Sequence, residues 1–192
     1  MFRDPFFNIY LPNYLNYGAL GSLIAYELAH VFDDTGRQLD KDGNAVQWWS
    51  DYAEKRFKEN AQCLVKQYRI NTNIYIGTSE ADGRKAEEEI ISGIGGLKAA
   101  YWAYQAWVVQ HRMEPKLSTL KFSPNQLFWM RAENIWCEKA DPTHTLRSVL
   151  AGSRIPQNLR VMGSLSNLPE FAEDFCCSFD ITTDQQNRCQ VW

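Results

Sequence analysis

Glu27 and His30 are the side chains best placed to do chemistry together, because residues three apart on a helix share a face. They stand in the pentapeptide Tyr26-Glu27-Leu28-Ala29-His30. A His-Glu-x-x-His helix offers two imidazoles to zinc, with the Glu set to act as base on metal-bound water. Here the phenol of Tyr26 takes the place of the first imidazole. An ordinary phenol titrates near about 10, so at neutral pH it keeps its proton and is a poor substitute for a ring nitrogen. The pentapeptide reads as a hydrolytic metal helix that lacks one ligand.

That helix needs a scaffold to hold it. Leu20, Leu23, Ile24, Leu28 and Val31 recur at helical spacing and predict a buried helix over 17–32. Ser22, Tyr26 and His30 share a face beside this apolar stripe. Asp33-Asp34-Thr35-Gly36 ends the helix, and residues 41–44 form a turn. A second helix is expected over 46–67, with the stripe Trp49, Tyr52, Ala53, Phe57, Ala61 and Leu64. Residues 71–85 read as a loop around a short strand at 73–76. A third helix spans 86–110 on Ile90, Ile94, Leu97, Tyr101 and Tyr104. Gly93, Gly95 and Gly96 lie inside it, each costing about 1 kcal/mol relative to Ala, which points to a close neighbour. Ser123-Pro124-Asn125-Gln126 has the signature of a capping box and opens a fourth helix to residue 136. Residues 167–170 start a short last one. The expected fold class is mainly α with little β, one domain over 1–192, without repeat or linker.

The 192 residues suffice for one sizeable core, and the apolar fraction of 45% is that of a globular chain. The formal charge is only −3, with acids and bases dispersed, so nothing suggests a nucleic acid partner. No apolar run could cross a bilayer, and the first residues lack a signal-peptide pattern. Five cysteines contain no Cys-x-x-Cys, which argues against a zinc knuckle or a dithiol redox site. His111 and His144 read as surface residues.

Several ordered motifs surround the pentapeptide. They are Asn16-Tyr17-Gly18, the run from His30-Val31-Phe32-Asp33-Asp34-Thr35-Gly36 to Asn44, Trp48-Trp49, and Gly95-Gly96-Leu97 with Ala103-Tyr104. Gln126-Leu127-Phe128, Trp136-Cys137, the segment from Asn158 to Ser164 and the closing Cys189-Gln190-Val191-Trp192 follow. Together they resemble the neprilysin and endothelin-converting-enzyme family of zinc metallopeptidases over essentially the whole chain. The resemblance implies the zincin-like, thermolysin-like helical C-terminal lobe of that family, and an extracellular or cell-surface setting.

Carried over residue by residue, the resemblance implies zinc ligands at position 26, His30 and Glu89, with Glu27 as the catalytic base. An Asp that orients the first imidazole falls at Gly93, where the missing side chain would leave room for the Tyr26 phenol. His30 would keep an outer carboxylate at Asp34, with Asp33 as the alternative. The family's oxyanion His falls at Arg154, and its substrate-binding Arg at Arg160. Zinc, the family cofactor, is therefore expected to bind weakly or not at all. Peptides or a protein are the expected partners. The expectation is a pseudopeptidase; the alternative is an active zinc endopeptidase with unusual ligation.

The resemblance also pairs Cys63 with Cys189 and assigns Cys137 and Cys177 to partners in an upstream region. Cys176 is additional and could bridge to Cys137. The upstream lobe and its substrate-binding strand motif have no counterpart here, so the chain is expected to be a fragment or truncated product lacking that lobe.

Overall fold

The computed structural model describes residues 2–76, 83–139, 141, 143, 147, 155–177 and 188–191. Arg154 and His144 lie outside the described residues. A helical segment begins earlier than the apolar period suggests, with α1 (Asn13–Asn16), a π-turn (Tyr17–Gly21), α2 (Ser22–Ala29) and a 3₁₀ turn (His30–Phe32) in succession. A second 3₁₀ turn (Gly36–Gln38) and an isolated bridge between Leu39 and Ala45 lead to α3 (Asp51–Ile76). The helix expected from residue 46 thus starts five residues later, and the expected strand at 73–76 is its last turn. Then come α4 (Gly83–His111), α5 (Pro124–Asn134), α6 (Gln157–Leu165) and α7 (Pro169–Asp174). Among the described residues there is no strand, and the architecture is mainly α as expected.

Helix α4 is the centre of the molecule. Its Ile90, Ile91, Ile94, Leu97, Ala100, Tyr101 and Tyr104 are all buried, more than one stripe wide, because α2, α3 and α6 pack around it. From α3, Phe57, Ala61, Leu64 and Tyr68 face it at intervals of four, three and four. Tyr52, expected in that stripe, is exposed. Helix α5 is opened by a complete capping box: Gln126 N donates to Ser123 Oγ at 3.1 Å, and Ser123 N donates to Gln126 Oε1 at 2.9 Å. Behind it, the Asp174 carboxylate accepts from Tyr101 Oη and Trp129 Nε1, both at 2.7 Å, and from Asn125 Nδ2 at 3.0 Å. This joins α4, α5 and α7.

The face of α2 is a correction. Tyr26 and Ser22 are buried against α4, whereas Ile24, Leu28 and Val31 from the apolar stripe are exposed. The cause lies at Gly96, where a Cβ would stand 2.6 Å from both Cα and N of Tyr26. Only glycine lets the two helix backbones approach there, and it is the Tyr26 side that docks. The outward side forms an apolar groove of about 470 Å³ with Phe32, Lys98 and Trp102.

The bridge between Cys63 and Cys189 is formed, as the resemblance implied. Cys137, Cys176 and Cys177 are free thiols, so the bridge considered between Cys137 and Cys176 is not made.

Candidate functional site

At position 30 the chain leaves α2 in a 3₁₀ turn, and in that geometry residues i and i+3 lie one above the other. Asp33, not Asp34, is therefore the carboxylate beside His30. Its Oδ2 lies 2.6 Å from His30 Nδ1, while its Oδ1 accepts from Thr35 N at 3.0 Å and Gly36 N at 2.7 Å. A carboxylate at this distance is matched by an N–H on Nδ1, which orients the ring with Nε2 on its far side. Ser92 Oγ is 3.0 Å from the same Nδ1. Asp34, the first choice from sequence, instead accepts from Arg37 at 3.2 Å (Nε) and 2.7 Å (Nη2), which turns it away. Gly36 is required at the turn, since a Cβ there would collide with the carbonyl oxygen of His30.

Tyr26 and Glu89 meet, 63 residues apart in sequence. Tyr26 Oη donates to Glu89 Oε2 at 2.5 Å. Burial, reinforced by this donation, holds the phenol well above its ordinary pKa, against the pull of Arg160. The ring stands edge-on to His30 at 4.6 Å and to Trp136 at 5.8 Å. Neighbouring Glu88 accepts from Thr35 Oγ1 at 2.6 Å, so the acidic run 87–89 is not simply solvated.

Arg160, carried by α6, reaches into the same place. Its Nη2 donates to Glu89 Oε2, and its guanidinium lies 4.1 Å from the Trp136 ring centre and 5.4 Å from that of Tyr26. Glu27 is exposed on α2. Gly93 does not make room for Tyr26 in the way expected: a Cβ at 93 would meet Ser164 Oγ at 2.5 Å, so Ser164 occupies that space. A cavity of about 20 Å³, room for one water, remains between Ser22, Tyr26, Trp136, Arg160 and Ser164.

Sequence reasoning missed Glu133, which lines that cavity. Its only signal is spacing, four residues after Trp129 on α5 and three before Trp136 just past the end of that helix. Burial pushes its carboxyl up to about 8, against the pull of Arg160. Between about 4.3, the value of a free Glu, and 8 the folded chain holds this proton and the unfolded chain does not. Stability contributed here is full below that window and lost as pH rises through it. We expect the urea midpoint to fall between pH 5 and pH 8, and Glu133→Gln to flatten that fall. An unchanged slope in the variant would show that other groups set it.

A zinc ion needs three protein donors and one open position. The residues present do not fit that requirement as they stand. His30 Nε2 is a suitable donor, but Tyr26 keeps its proton and Glu89 Oε2 already accepts from Tyr26 and Arg160. Among the described residues no three His, Cys, Asp or Glu side chains are arranged to hold a metal ion.

A single helical lobe, with an incomplete Glu-x-x-His helix crossing a second helix that presents a Glu, defines a metallopeptidase-type scaffold. Residues 1–191 match the profile of peptidase family M13, and the chain belongs to that family. It is 39% identical over 190 residues to endothelin-converting enzyme 1 of Rattus norvegicus, covering 99% of this chain and 24% of the relative. Neprilysin-2 of Drosophila melanogaster is 37% identical over 187 residues, covering 97% and 24%. Among solved structures, the zinc metalloprotease Zmp1 of Mycobacterium tuberculosis in complex with an inhibitor superposes with a TM-score of 0.88 at 28% identity, over 99% of this chain and 29% of that one. A Haemonchus galactose-containing glycoprotein complex gives 0.82 at 31%, over 97% and 31%. The chain thus spans about a quarter of the length of the curated relatives it matches.

Proposed function

We propose that this chain is a non-hydrolytic member of its family that retains peptide or protein binding. The observation that carries the reading is the Tyr26–Glu89 hydrogen bond. It commits the phenol proton and one carboxylate oxygen to each other, at the two positions where the family resemblance implies metal ligands. Hydrolysis by unusual ligation would require Tyr26 as a phenolate, and burial moves it away from ionising. Two anionic ligands would also weaken zinc as a Lewis acid toward its water. The bridge between Cys63 and Cys189 supports an oxidising, extracellular or cell-surface setting. Among the described residues no helix is long and apolar enough to cross a membrane.

The test is metal analysis of the purified chain together with cleavage of a quenched-fluorescent peptide, with and without chelator. We expect clearly less than one zinc per chain and no cleavage that depends on Glu27. One tightly held zinc per chain, with chelator-sensitive cleavage abolished by Glu27→Gln, would defeat the proposal and establish the active alternative.

A further inference from the structure

We propose that Arg160 takes the electrostatic place of the metal: its guanidinium supplies the positive charge that Glu89 would otherwise draw from a divalent cation, and so keeps the site closed to zinc. This rests on the non-hydrolytic reading above. The family resemblance assigns Arg160 to substrate, but here its hydrogen-bonding end turns inward. Nη2 donates to Glu89, and the flat face of the group covers Trp136 at 4.1 Å. Only 12% of the side chain is exposed, against 33% for Glu89. A guanidinium stays protonated at any working pH, so this charge cannot be shed. Glu133, a carboxylate that lines the same small cavity as Arg160, has its pKa pushed up to about 8 by burial, which weakens it as a competing partner for the guanidinium.

Charge balance then decides which cation can stay. Glu89 carries one negative charge, and Arg160 already cancels it. A divalent ion entering beside a guanidinium that is itself only 12% exposed meets like-charge repulsion, a term larger in a partly buried site than in bulk water. Restoring the ring nitrogen at position 26 would therefore recover only part of the affinity for zinc. Releasing Glu89 requires that the charge at 160 be removed as well.

The experiment compares zinc affinity, with zinc chloride and a competing chromogenic chelator, for Tyr26→His, for Tyr26→His with Arg160→Met, and for Tyr26→His with Arg160→Lys. Methionine keeps much of the apolar stem over Trp136 and drops the charge; lysine keeps the charge. We expect the Met combination to bind zinc at least about tenfold more tightly than Tyr26→His alone, the low end of what groups around a metal contribute. The Lys combination should stay near the Tyr26→His value. Equal, weaker or undetectable zinc binding in the Met combination overturns the proposal, as does an equal gain with lysine.

A second readout uses the unaltered Tyr26. Thermal unfolding of Arg160→Met, Glu89→Gln and the pair should be clearly non-additive, with the pair milder than the sum. Additive losses would show that the two side chains do not compensate each other, and overturn the proposal too. The zinc content of the unaltered chain separately tests the non-hydrolytic reading, so the two can fail independently.

Discussion

Breaking the bridge between Cys63 and Cys189 is expected to remove about 5 kcal/mol of stability, by the chain-entropy relation for a closed loop of this length. The two cysteines are 126 residues apart, so the bridge restricts a large part of the unfolded chain. A domain is typically stable by only about 5–15 kcal/mol, and the loss would take much of that. The native side adds to the argument. Cys189 is buried, and its N donates to Asn167 Oδ1 at 2.8 Å. Asn167 Nδ2 in turn donates to Gln67 Oε1 and to the carbonyl of Gly163, each at 2.7 Å. The tail is thus tied to α3 and to the end of α6, the helix that bears Arg160. The check is a urea titration with and without reductant, repeated on Cys63→Ser. The midpoint should fall steeply in both cases, and reductant should have little further effect on the variant. A midpoint unmoved by reductant would show that folded-state contacts alone hold the tail.

Local chemistry and long-range packing were legible to very different degrees. The capping box at Ser123 was readable because all of its atoms belong to four consecutive residues. The stripe of α4 was readable because a central helix buries every apolar residue its period offers. The face of α2 was not. Period shows which side is apolar, whereas burial depends on what that side meets, and α2 meets Gly96 through Tyr26. The last turn of α3 contains Ile74, Tyr75 and Ile76, residue types that favour extended structure locally, and the long helix overrides them. Helix α6 was missed because only Leu159, Gly163 and Ser164 are buried in its nine residues, too few to mark a period.

In the site, Glu89 was placed by resemblance to the family, and the structure brings it to Tyr26. The choice between Asp33 and Asp34 turned on a 3₁₀ turn that no residue type announces. The contact between Arg160 and Glu89 spans 71 residues, and no local pattern encodes it. Glu133 could have been suspected, since an acid spaced at helical intervals between Trp129 and Trp136 conflicts with apolar surroundings unless it is neutral or paired.

Gly96→Val is expected to destabilise the chain by about 3 kcal/mol or more, the upper part of the range for overpacking. Two effects oppose each other here. Removing glycine from a helix interior favours folding by up to about 1 kcal/mol. Against that, the first added carbon would stand 2.6 Å from Tyr26 N and Cα and 3.1 Å from the Ala25 carbonyl carbon. These are backbone atoms of another helix, and no rotamer change can move them. The clash must therefore be relieved by separating α2 from α4, which would pull Tyr26 off Glu89 and lose that hydrogen bond as well. Gly21→Ala provides the control, because its added Cβ would find only ordinary contacts, the nearest being Tyr17 Cβ at 3.6 Å. Thermal unfolding should show a large loss for Gly96→Val and little or none for Gly21→Ala. The lost contact has its own signature: the ultraviolet pH titration should show one tyrosine ionising at lower pH in Gly96→Val than in the parent chain, since burial and Glu89 no longer hold its proton. Equal stabilities for the two variants would mean that α2 does not rest on α4 through this glycine, and the placement of Tyr26 beside Glu89 would fall with it.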